Sequence, residues 1–259
     1  MIQKIIGKYS EIEVFSFIRN KVKQYRIAYL IVMLFTICIA ILPFKFGWLK
    51  SLSTEPREAV AKVTRDDGTM GTAFLISPYK LITARHVVEG YLGKEVELSF
   101  EQAKIPFTVK ATVEYYDEKS IDKTNEDYFE SDVALLRVDE IRQISPLELA
   151  NSDEFKTGGV VIMGYGDNDW SEPDGKITSD SFHKYTNLYK LDASVNKGHS
   201  GSPVLSKDKN QVIGIVVGKP NAIITLQKQG QILEGENIVL KINQADRVLQ
   251  RSGQMIREQ

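Results

Sequence analysis

Two kinds of hydrophobic pattern divide the chain. From Ile27 to Phe44 the sequence reads IAYLIVMLFTICIAILPF, with no charged residue. As a helix this run is roughly 27 Å long, close to the thickness of a bilayer's hydrocarbon core. Lys45 interrupts it; Phe46, Trp48 and Leu49 then extend its apolar character, and Tyr29 and Trp48 stand near its two ends as interfacial anchors do. Residues 27–49 are therefore expected to form a single membrane-spanning helix. Lys4, Lys8, Arg19, Lys21, Lys23 and Arg26 precede the span against Glu11 and Glu13, whereas only Lys45 and Lys50 lie immediately beyond it. That asymmetry predicts a cytoplasmic tail, residues 1–26, in the cell membrane, and an extracytoplasmic C-terminal part. Residues 50–58, with Ser, Thr and Pro56, read as a linker.

From Ala59 onward the pattern switches to short apolar or alternating runs bounded by turn residues. Strands are expected over 59–64, 71–76, 80–83, 95–100, 108–114, 133–138, 146–149, 159–164, 188–191, 203–205 and 212–217, with at least one more inside 232–242. Asp66-Asp67-Gly68 reads as a turn, residues 84–88 as a short helical turn, and residues 117–131 and 167–176 as surface loops. Residues 244–251 have helical spacing, with Ala245, Val248 and Leu249 near one face. Many short strands without alternating long helices argue against an open α/β sheet. They predict an all-β domain, residues 59–259, of paired antiparallel barrels closed by a C-terminal helix, with no stretch left for an appended peptide-binding domain.

Composition narrows the chemistry. A formal net charge of −1 gives no general affinity for nucleic acid. The single cysteine, Cys38, lies in the apolar span, so no intrachain disulfide is possible and the fold rests on its core. His86, His183 and His199 lack the close spacing of a zinc motif, and neither metal nor cofactor is expected.

Three stretches carry candidate chemistry: LITARHVV around His86, SDVALLRV around Asp132, and LDASVNKGHSGSPVLS around Ser200. A serine hydroxyl needs a neighbouring base, and the base needs an orienting acceptor. His86 follows a strand, Asp132 precedes a buried one, and Ser200 sits in a glycine-rich turn whose flanking glycines allow close backbone approach. In that assignment Ser200 attacks, His86 carries the proton, Asp132 fixes the imidazole, and the N–H groups of Gly198 and Ser200 receive a developing oxyanion.

The order and wording of these stretches resemble the trypsin/chymotrypsin superfamily, in particular its disulfide-free bacterial branch of HtrA/DegP-type and glutamyl-endopeptidase-type proteases, without a PDZ domain. GTAFLISPYKLITARHVV, residues 71–88, is similar to the strand pair leading to TAxHVV; SDVALLRV to the DxALL segment; and LDASVNKGHSGSPVLS to the DAxxNxGNSGGP segment, its GSP ending being closer to the glutamyl-endopeptidase variant. The resemblance covers about residues 59–248. It implies a chymotrypsin-like double β-barrel of two six-stranded barrels, and serine endopeptidase activity in the cleft between them, on protein or peptide substrates. It also implies a substrate-pairing strand at Ile215, Val216, Val217 and Gly218, and a primary pocket floored by Ser194 and Val195. Neither place carries an acid, so a small or medium apolar side chain is expected there, with His183 as the residue that would favour an acidic one instead. Three departures stand out. His199 replaces the usual Asn or Asp and reads as a passive loop residue. Lys197 replaces a frequent Pro and should leave the turn less restrained. Arg85 replaces a small residue and reads as a surface or structural contact. A protease-like module that binds peptides without efficient turnover is the alternative reading, and the sequence leaves oligomeric state open.

Overall fold

The computed structural model describes residues 16, 19–23, 25–26, 55–121, 128–182, 184–218, 237–251 and 253. The chain divides into two units, residues 1–53 and 54–259. In the first, the described residues are helical. No helix among the described residues is long and apolar enough to cross a membrane, and the apolar stretch at 27–49 lies outside them.

The second unit is all-β. Its first barrel closes strands β1 (Val60–Thr64), β2 (Met70–Ser77), β3 (Lys80–Thr83), β4 (Glu95–Phe100), β5 (Phe107–Tyr116) and β6 (Ala134–Arg137) in the order β1-β2-β3-β6-β5-β4. The second closes β7 (Gly158–Ile162), β10 (Asp174–Ser179), β11 (Leu188–Ala193), β12 (Pro203–Ser206), β13 (Val212–Gly218) and β14 (Asn237–Lys241) in the order β10-β11-β14-β13-β12-β7. A separate two-stranded hairpin, β8 (Gly164–Gly166) with β9 (Asp169–Ser171), projects between β7 and β10 in sequence. A one-turn helix α1 (Arg85–Val88) follows β3, and α2 (Ile242–Gln250) follows β14. Closure leaves no open sheet edge in either barrel.

Burial follows from the side-chain period of two. In β4 the apolar Val96, Leu98 and Phe100 turn inward while Glu95 and Glu97 face solvent. Strand β13 and the centre of β14, Ile238 to Leu240, are apolar at consecutive positions because both of their faces are covered. Ile213, Val216 and Val239 fill the second barrel, whereas Ile215, Val217, Ile238 and Leu240 join a larger core that includes Phe74, Leu81, Leu98, Leu135 and Leu136 of the first. On α2, Ile242, Ala245, Val248 and Leu249 lie at helical spacing and join the same core.

Most strands stand where the hydrophobic pattern places them. Residues 146–149 do not form one: Leu149 makes a single bridge to Val212 while the chain crosses between barrels. The expected loop at 167–176 contains β9 and the start of β10, because backbone pairing holds these polar residues without a buried face. The segment 117–131 is not all surface either; Tyr128, Phe129 and Ser131 are buried.

Candidate active site

Asp132 and His86 come from the first barrel. Thr83 pairs with Ala134 across β3 and β6, so α1, which begins two residues after Thr83, starts beside the segment that enters β6. Asp132 is fully buried there. Its Oδ1 accepts the His86 backbone N–H at 2.9 Å, and its Oδ2 accepts from His86 Nδ1 at 2.7 Å. With Nδ1 donating, Nε2 of the neutral ring is left as an acceptor, the state a general base requires. Burial opposes charge on His86, but the charge and hydrogen bond of Asp132 outweigh it and hold the imidazole above its ordinary value. Burial likewise opposes charge on Asp132, yet His86 and then Arg85 keep its carboxyl below the usual range.

Ser200 comes from the turn between β11 and β12, and this turn is fastened to the first barrel. The Thr72 N–H donates to Ser200 O at 2.9 Å, and Thr72 Oγ1 donates to Gly198 O at 2.9 Å while accepting the Tyr165 N–H at 3.1 Å. A Cβ on Gly201 would lie 2.0 Å from Thr72 O and 2.9 Å from Ala84 N; one on Gly71 would lie 2.6 Å from Val87 Cγ1 and 3.1 Å from Ser200 O. The serine turn thus packs against Ala84 and, through Gly71, meets Val87, the residues on either side of the Arg85-His86 pair.

Gly198 and Ser200 show how amides can be freed for a ligand. Gly198 has φ +101° and Gly201 φ +87°, a region that disfavours other residues. Lys197 O accepts the Asp167 N–H at 2.7 Å. In a trans peptide the following Gly198 N–H points the opposite way, away from that clamp. Among the described residues neither the Gly198 nor the Ser200 N–H donates a hydrogen bond. A cavity lined by Gly68, Met70, Asp167, Asn168, Lys197 and Gly198 adjoins this turn.

Residues 71–215 match the profile of the trypsin-like peptidase domain, more than half of the chain. The chain belongs to that family. No curated protein sequence resembles it closely enough to count as a match. Among solved structures, the inactive form of a serine-to-alanine mutant of Rv3671c from M. tuberculosis superposes with TM-score 0.56 at 22% identity, over 82% of this chain and 93% of that one. The active form of the Rv3671c protease gives 0.54 at 24%, over 78% and 83%. A serine protease of human pathogenic astrovirus gives 0.50 at 17%, over 72% and 90%. At these identities the likeness bears on the fold, the double barrel of chymotrypsin-like proteases.

Within this trypsin-like domain, the other expected site residues fall in different settings. Ser194 is exposed, whereas the Val195 side chain is buried in the core of the second barrel. Ile215, Val216 and Val217 also bury their side chains, so they can offer a ligand only main chain. Val216 spends its own main chain on the serine turn, accepting the Gly201 N–H at 2.8 Å and donating to Ser202 O at 3.0 Å. Gly218, at the strand end, faces Phe129 of the first barrel. His183 lies outside the described residues.

Two departures prove to be structural fittings. His199 is buried: its Nδ1 lies 3.1 Å from Asn196 N and 3.3 Å from Asn196 O, and its Nε2 shares a hydrogen bond of 2.8 Å with Ser171 Oγ on β9. The turn lacking Pro at Lys197 is restrained from outside instead, by the Asp167 amide and by Asn196 Nδ2 donating to Asp167 Oδ2 at 2.8 Å. Sequence reading missed Asp167, Thr72 and Ser171 because their partners in the serine turn lie 28 or more residues away; the one local signal was the Asp167-Asn168 pair, residue types that tolerate the positive φ both adopt.

Proposed function

We propose that the chain is a serine endopeptidase, held at a membrane by residues 27–49 with its protease domain extracytoplasmic. Ser200 Oγ attacks a substrate carbonyl as His86 Nε2 takes its proton. The tetrahedral oxyanion sits on the Gly198 and Ser200 amides. His86 returns the proton to the leaving amine, giving an acyl-enzyme. Water, deprotonated by the same imidazole, attacks the ester carbonyl; the acid product leaves and Ser200 Oγ regains its proton. Asp132 holds the ring in the Nδ1–H tautomer throughout.

The observation that carries this reading is the doubly hydrogen-bonded His86–Asp132 pair. The packing of the Ser200 turn against Ala84 supports it. A fluorophosphonate probe should label the wild-type chain and leave Ser200→Ala unlabelled, and cleavage of a denatured protein substrate should fall by at least about a thousandfold in that variant. Equal cleavage by the two proteins would remove the assignment.

A further inference from the structure

Arg85 is the largest fully buried side chain among the described residues. Its side chain is fully buried, yet Nε and Nη1 have no hydrogen-bond partner among the described residues. Nη2 donates weakly to Tyr128 O at 3.5 Å, and the guanidinium lies 4.5 Å from the Tyr128 ring centre. Nε stands 3.7 Å from Asp132 Oδ1, and Nη1 3.9 Å from Glu89 Oε2. These separations are too long for the bidentate bonds that usually repay burial of an arginine. Asp132 Oδ1 already takes the His86 N–H, and Oδ2 takes Nδ1. Arg85 therefore reaches the carboxylate as a fixed charge rather than as a hydrogen-bond donor.

Resting on the serine-hydrolase reading above, we propose that Arg85 is a positioning residue of the catalytic pair: its buried positive charge keeps Asp132 ionised and opposes protonation of His86, extending the active form to lower pH. The groups facing the pair are Asp132, Arg85, Glu89 and Tyr128. Tyr128 stays a neutral phenol, pushed up first by burial and then by Asp132. Arg85 and Glu89 act on His86 in opposite directions, the arginine lowering and the glutamate raising its proton affinity. A general base works only when neutral, so the acid limb of the rate profile follows that affinity. Loss of the arginine charge moves the limb to higher pH; loss of the glutamate charge moves it to lower pH.

The test is the second-order rate of fluorophosphonate labelling of the full chain between about pH 5 and 9, for wild type, Arg85→Met, Arg85→Lys and Glu89→Gln. Arg85→Met, which fills the same space without charge, should lose about tenfold at the acid end relative to its own plateau, the order expected for one nearby unit charge. Arg85→Lys should recover most of that loss. Glu89→Gln, at a partly exposed position, should gain at the acid end. A normalised profile that is identical in wild type and folded Arg85→Met, or a lysine variant that behaves like the methionine one, overturns the proposal. If the methionine variant shows no cooperative melt, Arg85→Gln decides, and an unmoved limb is the negative result. NMR titration of the His86 imidazole reads the same displacement without turnover. A chain that takes no label at any pH therefore counts against the hydrolase reading, and the titration still judges Arg85.

Discussion

At the residue scale, the pair to which the proposed mechanism gives the chemistry also contributes to the stability of the fold, and the two effects run oppositely with pH. His86 is raised by its partner, so the stabilisation it contributes is fully present below the ordinary imidazole value and is lost as pH rises through the elevated one. Asp132 is lowered, so its contribution is present above the ordinary carboxylate value and is lost as pH falls through the depressed one. The pair is at its most stabilising between the carboxylate and imidazole ranges, where His86 is protonated and cannot act as a base. Fluorophosphonate labelling should therefore rise with pH while the thermal midpoint falls from its mildly acidic maximum, and Asp132→Asn should flatten that fall and cut the labelling rate by about three to four orders of magnitude. Melting curves and labelling rates measured on the same samples check this; a midpoint that rises with activity contradicts it. Residue type and order singled out His86, Asp132 and Ser200 in the sequence, and the structure brings the first two into contact. The burial of Arg85 was not legible there, because Tyr128 and Asp132 reach it from more than forty positions away.

At the scale of elements, the serine turn is a ligand of its surroundings. β2 supplies Thr72, and the β8–β9 hairpin supplies the Asp167 amide and the Ser171 hydroxyl. The strands of both barrels, β10 apart, could be read from alternation and apolar runs. The hairpin could not, since Asp169, Trp170 and Ser171 bury no continuous face and owe their extended form to pairing with Gly164, Tyr165 and Gly166. Thr72 is the most exacting joint, because one hydroxyl serves two main-chain partners. Thr72→Val keeps the shape but leaves Gly198 O and the Tyr165 N–H without it. Each buried group so deprived costs about 1–3 kcal/mol. Denaturant melts should show a loss of about 2–4 kcal/mol, and labelling should slow more than tenfold under conditions where the variant is fully folded, as the Gly198 peptide loses its anchor. A variant that loses stability but labels at the wild-type rate would limit Thr72 to a structural role.

Across the whole molecule, the two barrels are joined through a core that takes side chains from both, and the proposed mechanism divides between them, with His86 and Asp132 on one and Ser200 on the other. The segment that leads into Asp132 is tied to the second barrel as well: Asn187 Nδ2 donates to Glu130 Oε1 at 3.0 Å and Gln244 Nε2, from α2, to Glu130 O at 3.1 Å. None of these ties involves the residues before the second unit, so the task proposed for the apolar anchor is a different one. Confinement to a surface raises the local concentration of membrane-linked substrates without altering intrinsic affinity. In cells expressing the full chain, the protein should remain in the membrane fraction through a carbonate wash, and a form lacking residues 1–49 should be released from it. Protease added to intact cells should degrade residues 55–259 while sparing an epitope placed before residue 27, the arrangement that the basic flank predicts. Release of the full chain by carbonate would refute the anchor; degradation of the epitope with survival of the domain would keep the anchor and reverse its orientation.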